Sequence, residues 1–373
     1  MLNLVFTLLL GIITLVVLYL YNHFTYWKRR GVYYETPLPI IGNLKGIGRT
    51  LHFMEIIQRV YDQFVGKAQF CGMYMFFSKT AIILDLDLIK HIMIKDFASF
   101  HDRAIFNNVE DDPLTGHLLT LEGQQWKAMR NKLTPVFTSA RMKYMFPTVV
   151  KVGENFALTL QKESQQNANC EVEIKDLCAR FTTDVIGTCA FGIDCNSLQD
   201  PQAEFRNKGR SIFTKPRHSG FVQLFMVTNP NLARKFHMKI FRDDLTEFFL
   251  NIVKQTVTYR LENDIKRNDF MDLIIELKAK DESLARENKG IDLTAGLTIE
   301  QMAAQTFVFF LAGFETSSTT MSFCLYELAR HQDIQEKLRQ SIKQELETTK
   351  GVLTYESMNN MNYLDQVIAG KCV

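Results

Sequence analysis

Within a long apolar run stands the sequence Ala312-Gly313-Phe314-Glu315-Thr316. Ahead of it, Thr298 and Gln301 fit a capping box, because the threonine hydroxyl can accept a backbone N–H while the glutamine side chain reaches back. No proline interrupts residues 301–330, and residues 307–311 are apolar on every face of a helix. An all-round apolar helix belongs in a protein interior. The sequence therefore predicts a buried helix about 45 Å long at 1.5 Å per residue.

Two features are unusual in such a helix: Gly313, which costs about 1 kcal/mol relative to alanine, and the hydroxyl residues at positions 316–320. Ala312 and Thr316 share a helix face, so a groove there could accept a flat ligand and a diatomic molecule beside the threonine hydroxyl. A buried Glu315 would need a partner or a water path, and an acid beside an alcohol forms a proton relay. The alternative is a packing glycine, helix-bending hydroxyls and a Glu315 that reaches solvent.

The composition excludes some classes of function. The 373 residues are 46% hydrophobic and 23% charged, and the net charge of +2 predicts no nucleic-acid partner. The cysteines are odd in number, scattered and without a CxxC pair, so we expect neither a disulfide framework nor a metal site built from them. They stand at positions 71, 170, 178, 189, 195, 324 and 372. Reduced thiols in a cytosol-facing domain fit this pattern best.

The N-terminal residues predict a membrane anchor. Residues 4–21 are uncharged and almost wholly apolar, which is long enough to cross a bilayer as a helix. A cleaved signal peptide is the alternative, but no cation precedes the run and bulky residues follow it. Lys28-Arg29-Arg30 places the following domain in the cytosol. We therefore assign residues 1–22 to the anchor and residues 23–43 to a basic flank and a proline-rich strap.

The rest of the chain predicts a mainly α-helical domain with a small β-rich part. Residues 70–76 and 80–84 have the aromatic and β-branched composition of a strand pair. Helical periodicity or capping signals mark the segments that follow, and residues 278–289 are interpreted as a charge-rich loop. The predicted helices are residues 176–192, one around 245–252, one capped by Asp333 and running to about 346, and one over 362–369.

Trp126 and Arg130 follow a helix-start glycine, Gly123, and share one helix face at a spacing of four residues. Their indole N–H and guanidinium are donors that a buried carboxylate would bind. The alternative is a surface cation–π pair, and the neighbouring Lys127 is then part of a solvated basic face.

Six short motifs occur in order: Pro37-Leu38-Pro39-Ile40-Ile41-Gly42, Trp126-Lys127-Ala128-Met129-Arg130, Phe191-Gly192, Phe270-Met271-Asp272-Leu273, Ala312-Gly313-Phe314-Glu315-Thr316 and Tyr363-Leu364-Asp365. In this order and spacing, the chain resembles a microsomal cytochrome P-450 of the insect detoxification type, from residue 2 to about residue 369. The resemblance implies the fold of a haem-thiolate monooxygenase, with residues 44–369 forming its incomplete catalytic domain.

The resemblance also implies roles for individual residues. Trp126 and Arg130 would bind haem propionates, and residues 312–316 would form the oxygen groove, in which Ala312 and Gly313 would contact the haem. Thr316 and Glu315 would deliver protons for oxygen activation. Three residues, Phe307, Phe310 and Ala312, would face a lipophilic substrate. The implied partners are the endoplasmic reticulum membrane and NADPH-cytochrome reductase, with the catalytic domain facing the cytosol.

The C-terminal residues depart from the family pattern. In the family, the helix that begins at Asn362 continues into a Glu-x-x-Arg pair, and a later cysteine in a Gly-rich loop ligates iron. Here residues 370–373 read Gly-Lys-Cys-Val, which we interpret as an unrelated tail. Cys372 has no shielding loop around it and is a poor ligand. Codons for Gly-Lys-Cys-Val can contain the sequence that usually starts an intron. We therefore favour the interpretation that the tail is intron sequence translated as protein over an ordinary stop codon in a diverged gene. The genomic sequence beyond the Ala369 codon distinguishes the two.

Two functions of different classes follow. The first is a monooxygenase that oxidises lipophilic xenobiotics or hormones with haem, O₂ and reductase-supplied electrons. The second is a membrane-anchored chain that cannot ligate haem iron and is not catalytic. Because the axial cysteine is missing from the expected place, the chain as given is predicted to be inactive.

Overall fold

The computed structural model describes residues 2–166, 171–267, 269–287 and 297–370. It is mainly α-helical with one strand pair, as the sequence predicts. The helices are α1 Leu2–Phe24, α2 Tyr26–Arg29, α3 Phe53–Phe64, α4 Leu86–Lys90, α5 Phe97–Phe100, α6 Gly123–Leu133, α7 Ser139–Gln166, α8 Ile174–Ile186, α9 Glu204–Thr214, α10 Gly220–Thr228, α11 Pro230–Lys235, α12 Asp243–Asn263, α13 Phe270–Glu287, α14 Ile299–Arg330, α15 Gln332–Thr348, α16 Tyr355–Asn359 and α17 Asn362–Ala369; the strands are β1 Phe70–Met75 and β2 Ser78–Ile83.

The chain forms two compact units. The first comprises Met1–Phe106 and Gly220–Phe236, and the second comprises Asn107–Ser219 and His237–Val373. The first unit therefore contains α1 to α5, the sheet, α10 and α11. The second contains all the residues that the sequence proposes for a site.

In the first unit, β1 and β2 pair antiparallel from Phe70 opposite Ile83 to Met75 opposite Ser78. The predicted strand pair is thus confirmed, with the second strand beginning two residues earlier than expected. One face of α3 is buried against this hairpin, since Val60 and Phe64 pack with Cys71 of β1. Alternation of half-buried and exposed residues along most of β2 follows from this one-sided cover.

The proline strap is folded against β1 and is not a free spacer. Asn43 binds Tyr74 on both sides: its backbone N–H donates to the Tyr74 carbonyl at 2.8 Å, and its side-chain oxygen accepts from the Tyr74 N–H at 2.7 Å. Gly42 has φ +63°, and a Cβ there would lie 2.3 Å from the Tyr74 carbonyl oxygen. Only glycine tolerates both that backbone conformation and that close approach.

In the second unit, α14 is the central helix. Its N-terminus carries the predicted capping box, with Gln301 N–H donating to the Thr298 hydroxyl at 3.2 Å and the Thr298 N–H donating to the Gln301 side chain at 3.1 Å. Every residue from Met302 to Val308 is buried. The prediction of a long buried helix is therefore confirmed for its N-terminal half.

An aromatic cluster packs against that half of α14. Phe249 of α12 is fully buried and lies with its ring centroid 4.9 Å from Phe307 and 5.5 Å from Phe310. Phe191 and Phe205 complete the cluster, with ring centroids 5.9 and 5.8 Å from Phe249. Edge-to-face arrangements dominate, which is the favoured geometry for aromatic rings. These rings belong to the main hydrophobic core of the second unit.

A buried ion cluster joins α12 to the start of α13. The Arg260 guanidinium donates to both oxygens of Asp269 at 2.6 Å and also binds Asp272. Gly192, at φ +68°, lies so close that a Cβ there would sit 1.8 Å from an Arg260 nitrogen. The sequence motif Phe191-Gly192 thus has a steric cause: only glycine leaves room for the buried guanidinium.

Two local predictions are wrong. The segment interpreted as a loop, residues 278–289, is helical as far as Glu287, because no glycine or proline interrupts α13 there. Asp333 is not the N-cap of α15: that position is His331, so Asp333 lies inside the first turn. An acidic residue is favoured by the helix dipole at either position, which is why the sequence did not separate them.

We expect Phe249→Ala to lower the free energy of unfolding by about 3–5 kcal/mol, the usual cost of removing a fully buried phenylalanine. Urea unfolding of the full chain in detergent measures it. Phe213→Ala is the matched control, since Phe213 is 50% exposed, and it should cost far less. Equal losses from both variants would contradict a core centred on Phe249.

Candidate active site

The C-terminal half of α14 presents an open face of small side chains. Ala312, Thr316 and Thr320 recur every four residues and are exposed, while Phe314 and Ser318 between them are buried. The helix is continuous through this region. A core helix that exposes an alanine and two threonines offers a flat surface with little relief, which suits a planar ligand.

The hydroxyls on this face bind the helix's own carbonyls. Thr316 donates to the Ala312 carbonyl, and Thr320 donates to the Thr316 carbonyl at 3.0 Å. The predicted competition between hydroxyls and backbone is therefore present without breaking the helix. Each hydroxyl oxygen keeps its own lone pairs, so Thr316 can still accept a hydrogen bond at the exposed face.

Gly313 lies on another side of α14, against α8. A Cβ at this position would be 2.6 Å from Cδ1 of Ile186, so the glycine lets the two helices approach closely. Beside it, the Thr182 hydroxyl of α8 donates to the Phe314 carbonyl at 2.9 Å. The structure therefore separates Gly313 from the face of Ala312 and Thr316. Close helix packing accounts for the glycine by itself.

Glu315 points away from the Thr316 face and reaches a cleft of about 370 Å³. Its carboxylate lies 3.8 Å from the Lys175 ammonium, and its side chain is 41% exposed. Arg206 and Arg210 line the same cleft. Glu315 is thus a half-exposed acid in a cleft that both cations and carboxylates line, and it reaches solvent, as in the alternative that the sequence leaves open.

Phe307 and Phe310 are buried in the aromatic cluster. Phe307 lies nine residues before Thr316, which is about half a turn away around the helix axis. The predicted substrate-facing role finds no support in this packing, whereas Ala312 remains on the open face. These two rings support α14 from behind.

Trp126 and Arg130 lie on α6, with the indole half-buried against the core of the second unit and the guanidinium exposed. Among the described residues, the Arg130 guanidinium forms no hydrogen bond or ion pair. An exposed arginine without a counter-ion is able to bind a carboxylate, whereas the indole nitrogen of Trp126 is buried. The carboxylate-binding role that the sequence proposes for this pair stays a prediction.

Sequence reasoning missed the loop that α14 holds in place. The fully buried Gln305 side chain accepts from the Leu118 N–H at 2.9 Å and donates to the Gly116 carbonyl at 3.0 Å. A polar glutamine inside an apolar helix was the available signal, because a buried amide needs partners. This bridge fixes residues 116–118 against the helix of the candidate site.

The same loop contains buried titratable groups. His117 is 3% exposed, and burial lowers its pKa to about 4. Burial also raises the pKa of the Asp112 carboxyl, although Ile240 and Phe241 donate their N–H groups to it at 2.8 and 2.9 Å. The loop is therefore tied both to α14 and to the residues that precede α12.

The cytochrome P450 family model matches residues 33–369. The chain belongs to the cytochrome P450 family. It is 58% identical over 349 residues to the probable cytochrome P450 6a14 of Drosophila melanogaster, a match that covers 93% of this chain and 69% of the relative. The probable cytochrome P450 6a13 of the same fly is 50% identical, with 93% and 67% covered. Cytochrome P450 6A1 of Musca domestica is 42% identical, with 96% and 69% covered.

Membership in the cytochrome P450 family carries two general consequences. It places the chain among monooxygenases that act on small molecules, and it implies a haem and a redox partner. The first unit also contains an apolar helix, Leu4–Phe24, that is long enough to cross a membrane and is not buried within the fold. This helix is long and apolar enough for a membrane anchor.

The described residues fit the plane and the carboxylates of a haem. The exposed Ala312 and Thr316 face can lie against a flat ring, and the guanidinium of Arg130 is without a counter-ion among these residues. A thiolate ligand is a separate requirement. Burial raises the pKa of Cys71 and Cys189 to about 11, and it raises the pKa values of Cys178 and Cys195 as well. Burial therefore disfavours a thiolate at these four positions.

Cys324 is the remaining described cysteine. It lies on α14 eight residues beyond Thr316, about 12 Å along the helix axis, which is too far for it to serve at this face. Cys170 and Cys372 lie outside the described residues. The interpretation of the C-terminal tail therefore stays a prediction.

We expect the pKa of His117 to make stability fall in mild acid. The unfolded chain protonates histidine near its ordinary pKa of 6.5, whereas the folded chain resists until about 4. The unfolded state therefore binds more protons between these values, and stability decreases as pH falls from about 6.5 to 4, by roughly 3 kcal/mol.

Urea unfolding at a series of pH values measures this effect. His117→Gln should remove that part of the slope, and the exposed His331→Gln should keep it. The raised pKa of Asp112 makes stability increase as pH falls, which opposes the effect of His117. The His117 contribution is therefore read from the difference between the pH profiles of the variant and of the parent chain. Parallel pH profiles for the parent chain and His117→Gln would contradict the assignment.

Proposed function

We propose that the chain carries the site of a membrane-bound monooxygenase that oxidises lipophilic small molecules with haem, O₂ and electrons from NADPH-cytochrome reductase. One observation carries the proposal: in a chain of the cytochrome P450 family, the helix that is otherwise the most buried opens at Ala312 and Thr316. An exposed patch on a core helix indicates that something covers it when the protein works.

Haem would be held by two groups of residues. Arg130 would pair with a propionate through its guanidinium, and Trp126 would donate its indole N–H to the same side of the ring. Ala312 would contact the ring plane. Gly313 would act indirectly, because its lack of a side chain sets the separation of α8 and α14 and so the position of Ala312. Bound haem supplies the O₂ chemistry, which side chains alone cannot perform.

Proton supply would be divided between two neighbouring residues. Glu315 opens to the cleft beside Lys175, where it can exchange protons with solvent. Thr316 holds a hydroxyl at the open face, with its own proton donated to the Ala312 carbonyl. Because consecutive residues on a helix point about 100° apart, water would have to join the two groups. The Lys175 contact keeps Glu315 directed into the cleft.

The substrate class and the membrane location are inferred from the polarity and charge of exposed residues. The open face offers methyl groups and no charge, which favours an apolar substrate. The anchor helix and Lys28-Arg29-Arg30 favour the endoplasmic reticulum membrane, with the second unit in the cytosol. The exposed Lys127 lies on the helix of Arg130 and adds positive charge for an acidic redox partner.

Arg130→Gln should weaken haem binding by about tenfold or more, the usual cost of losing a hydrogen bond to a charged group. Absorbance titration of the purified full chain with haem measures the dissociation constant. Arg339→Gln removes an equally exposed arginine from α15 and should leave the constant unchanged. Equal constants for all three proteins would contradict a propionate site at Arg130.

Turnover with ¹⁸O₂, NADPH, reductase and an apolar alkoxycoumarin tests the activity. We expect one labelled oxygen atom in each product molecule, and a rate about 100-fold lower in Glu315→Gln, since a positioned acid contributes that order of magnitude. Glu336→Gln on α15 is the control. Haem occupancy without labelled product would overturn the proposal for this chain and support the expectation that it is inactive.

A further inference from the structure

A group of cations surrounds one aromatic ring at the end of the membrane helix. The Arg30 guanidinium carbon lies 3.7 Å from the centroid of the Tyr26 ring, and the Lys79 ammonium lies 4.4 Å from it. Lys28 and Arg29 flank the ring in sequence. Lys79 comes from β2, far along the chain, so folding and not sequence proximity assembles the group.

These cations lack counter-charges within the described part of the chain. Neither Arg30 nor Lys79 has a carboxylate within 4 Å there, and both are exposed. Arg29 is occupied differently, since it donates to the Asn22 carbonyl at 2.7 Å in the last turns of α1. Two like charges on one ring repel each other, and the cation–π attraction at an exposed site is worth only about 0.5–1 kcal/mol. An anion bound to both cations would offset the repulsion.

Trp27 holds the backbone that carries Tyr26 and Arg30 in place. The indole N–H donates to the Met73 carbonyl at 3.2 Å, and the Trp27 backbone N–H donates to the Tyr74 hydroxyl at 3.2 Å. The ring lies on Gly72, where a Cβ would come within 2.4 Å of it. The buried indole therefore docks α2 on β1, and it holds Tyr26 and Arg30 beside the strand that is paired with Lys79.

The end of α1 enters the same folded region. His23 lies with its ring centroid 5.9 Å from that of Tyr74 and 5.7 Å from that of Phe77. The apolar span Leu4–Phe24 has 21 residues, about 31 Å as a helix, which matches the hydrocarbon thickness of a bilayer. Tyr26 and its two cations consequently stand where the lipid phosphates lie.

We propose that Tyr26, Arg30 and Lys79 form a binding site for the phosphate head group of an anionic phospholipid; the site rests on the membrane anchoring proposed above. The guanidinium and the ammonium neutralise the phosphate, and the phenol supplies a further donor. A zwitterionic lipid fits less well because its own cation would meet two protein cations. The fixed frame restricts the site to one lipid at the base of the anchor.

Lipid selectivity of the full chain in nanodiscs tests the proposal. Spin-labelled phosphatidylserine and phosphatidylcholine report, by electron paramagnetic resonance, the fraction of each lipid that the protein immobilises. Each cation near a membrane surface is worth about fivefold in binding an anionic lipid. We expect the parent chain to prefer phosphatidylserine by at least fivefold, and Arg30→Gln with Lys79→Gln to bring the ratio close to one.

Variants that remove the same charge elsewhere distinguish a specific lipid-binding site from a non-specific effect of the net positive charge. Lys45→Gln with Arg49→Gln removes two exposed cations from the same unit and should keep the preference. Lys79→Gln alone should lower it about fivefold, although Lys79 is remote from the anchor in sequence. The proposal is wrong if the control pair lowers the ratio as much as the site pair, or if Lys79→Gln has no effect. Inorganic phosphate binding to the parent chain in phosphatidylcholine nanodiscs, abolished by the site pair and accompanied by no preference for phosphatidylserine, would also overturn it, since free phosphate would then be the ligand.

Alkaline carbonate extraction of every variant separates this proposal from the anchor. Protein that resists extraction but shows no lipid preference contradicts the head-group site alone. Protein that is released contradicts the anchor itself, on which the site depends.

Discussion

The packing of α14 against the aromatic cluster is the contact on which the second unit depends. Phe307 and Phe310 enter a group of rings from α9, α12 and the turn after α8, and this fixes the rotation of α14 about its own axis. Once those two rings are buried, the 3.6-residue period directs Ala312 and Thr316 to the opposite side. The open face of the candidate site is therefore a consequence of which residues the core takes in.

The contact between α8 and α14 depends on a residue that is unfavourable for the helix itself. Gly313 costs about 1 kcal/mol of helix propensity, but its missing side chain allows Ile186 to approach. At that closest point, Thr182 donates to the Phe314 carbonyl across the interface. Glu315, two residues after Gly313, lies in the cleft beside Lys175. One glycine thus sets the spacing of the two helices next to an acid that the proposed chemistry uses.

In the first unit, glycines also allow close packing, here of the segments that follow the apolar helix α1. Gly72 leaves room for the Trp27 ring, and Gly42 leaves room for the Tyr74 carbonyl, so both the end of the anchor and the strap rest directly on β1. The anchor is consequently joined to a folded hairpin through buried hydrogen bonds. Such a connection restricts how α1 can move relative to the hairpin, which a flexible tether would not do.

The sequence by itself determined the elements with strong local signals. The capping box at Thr298, the strand pair and the apolar anchor follow from spacing and composition, and the order of six motifs was sufficient for the family. Only the tertiary structure decided which side chains share a site. It separated Gly313, Phe307 and Phe310 from the open face, because rotation of a helix that is apolar all round cannot be read from its sequence. It also brought Lys79 to Tyr26 and Gln305 to residues 116–118, since such contacts depend on how distant segments pack and leave no local pattern.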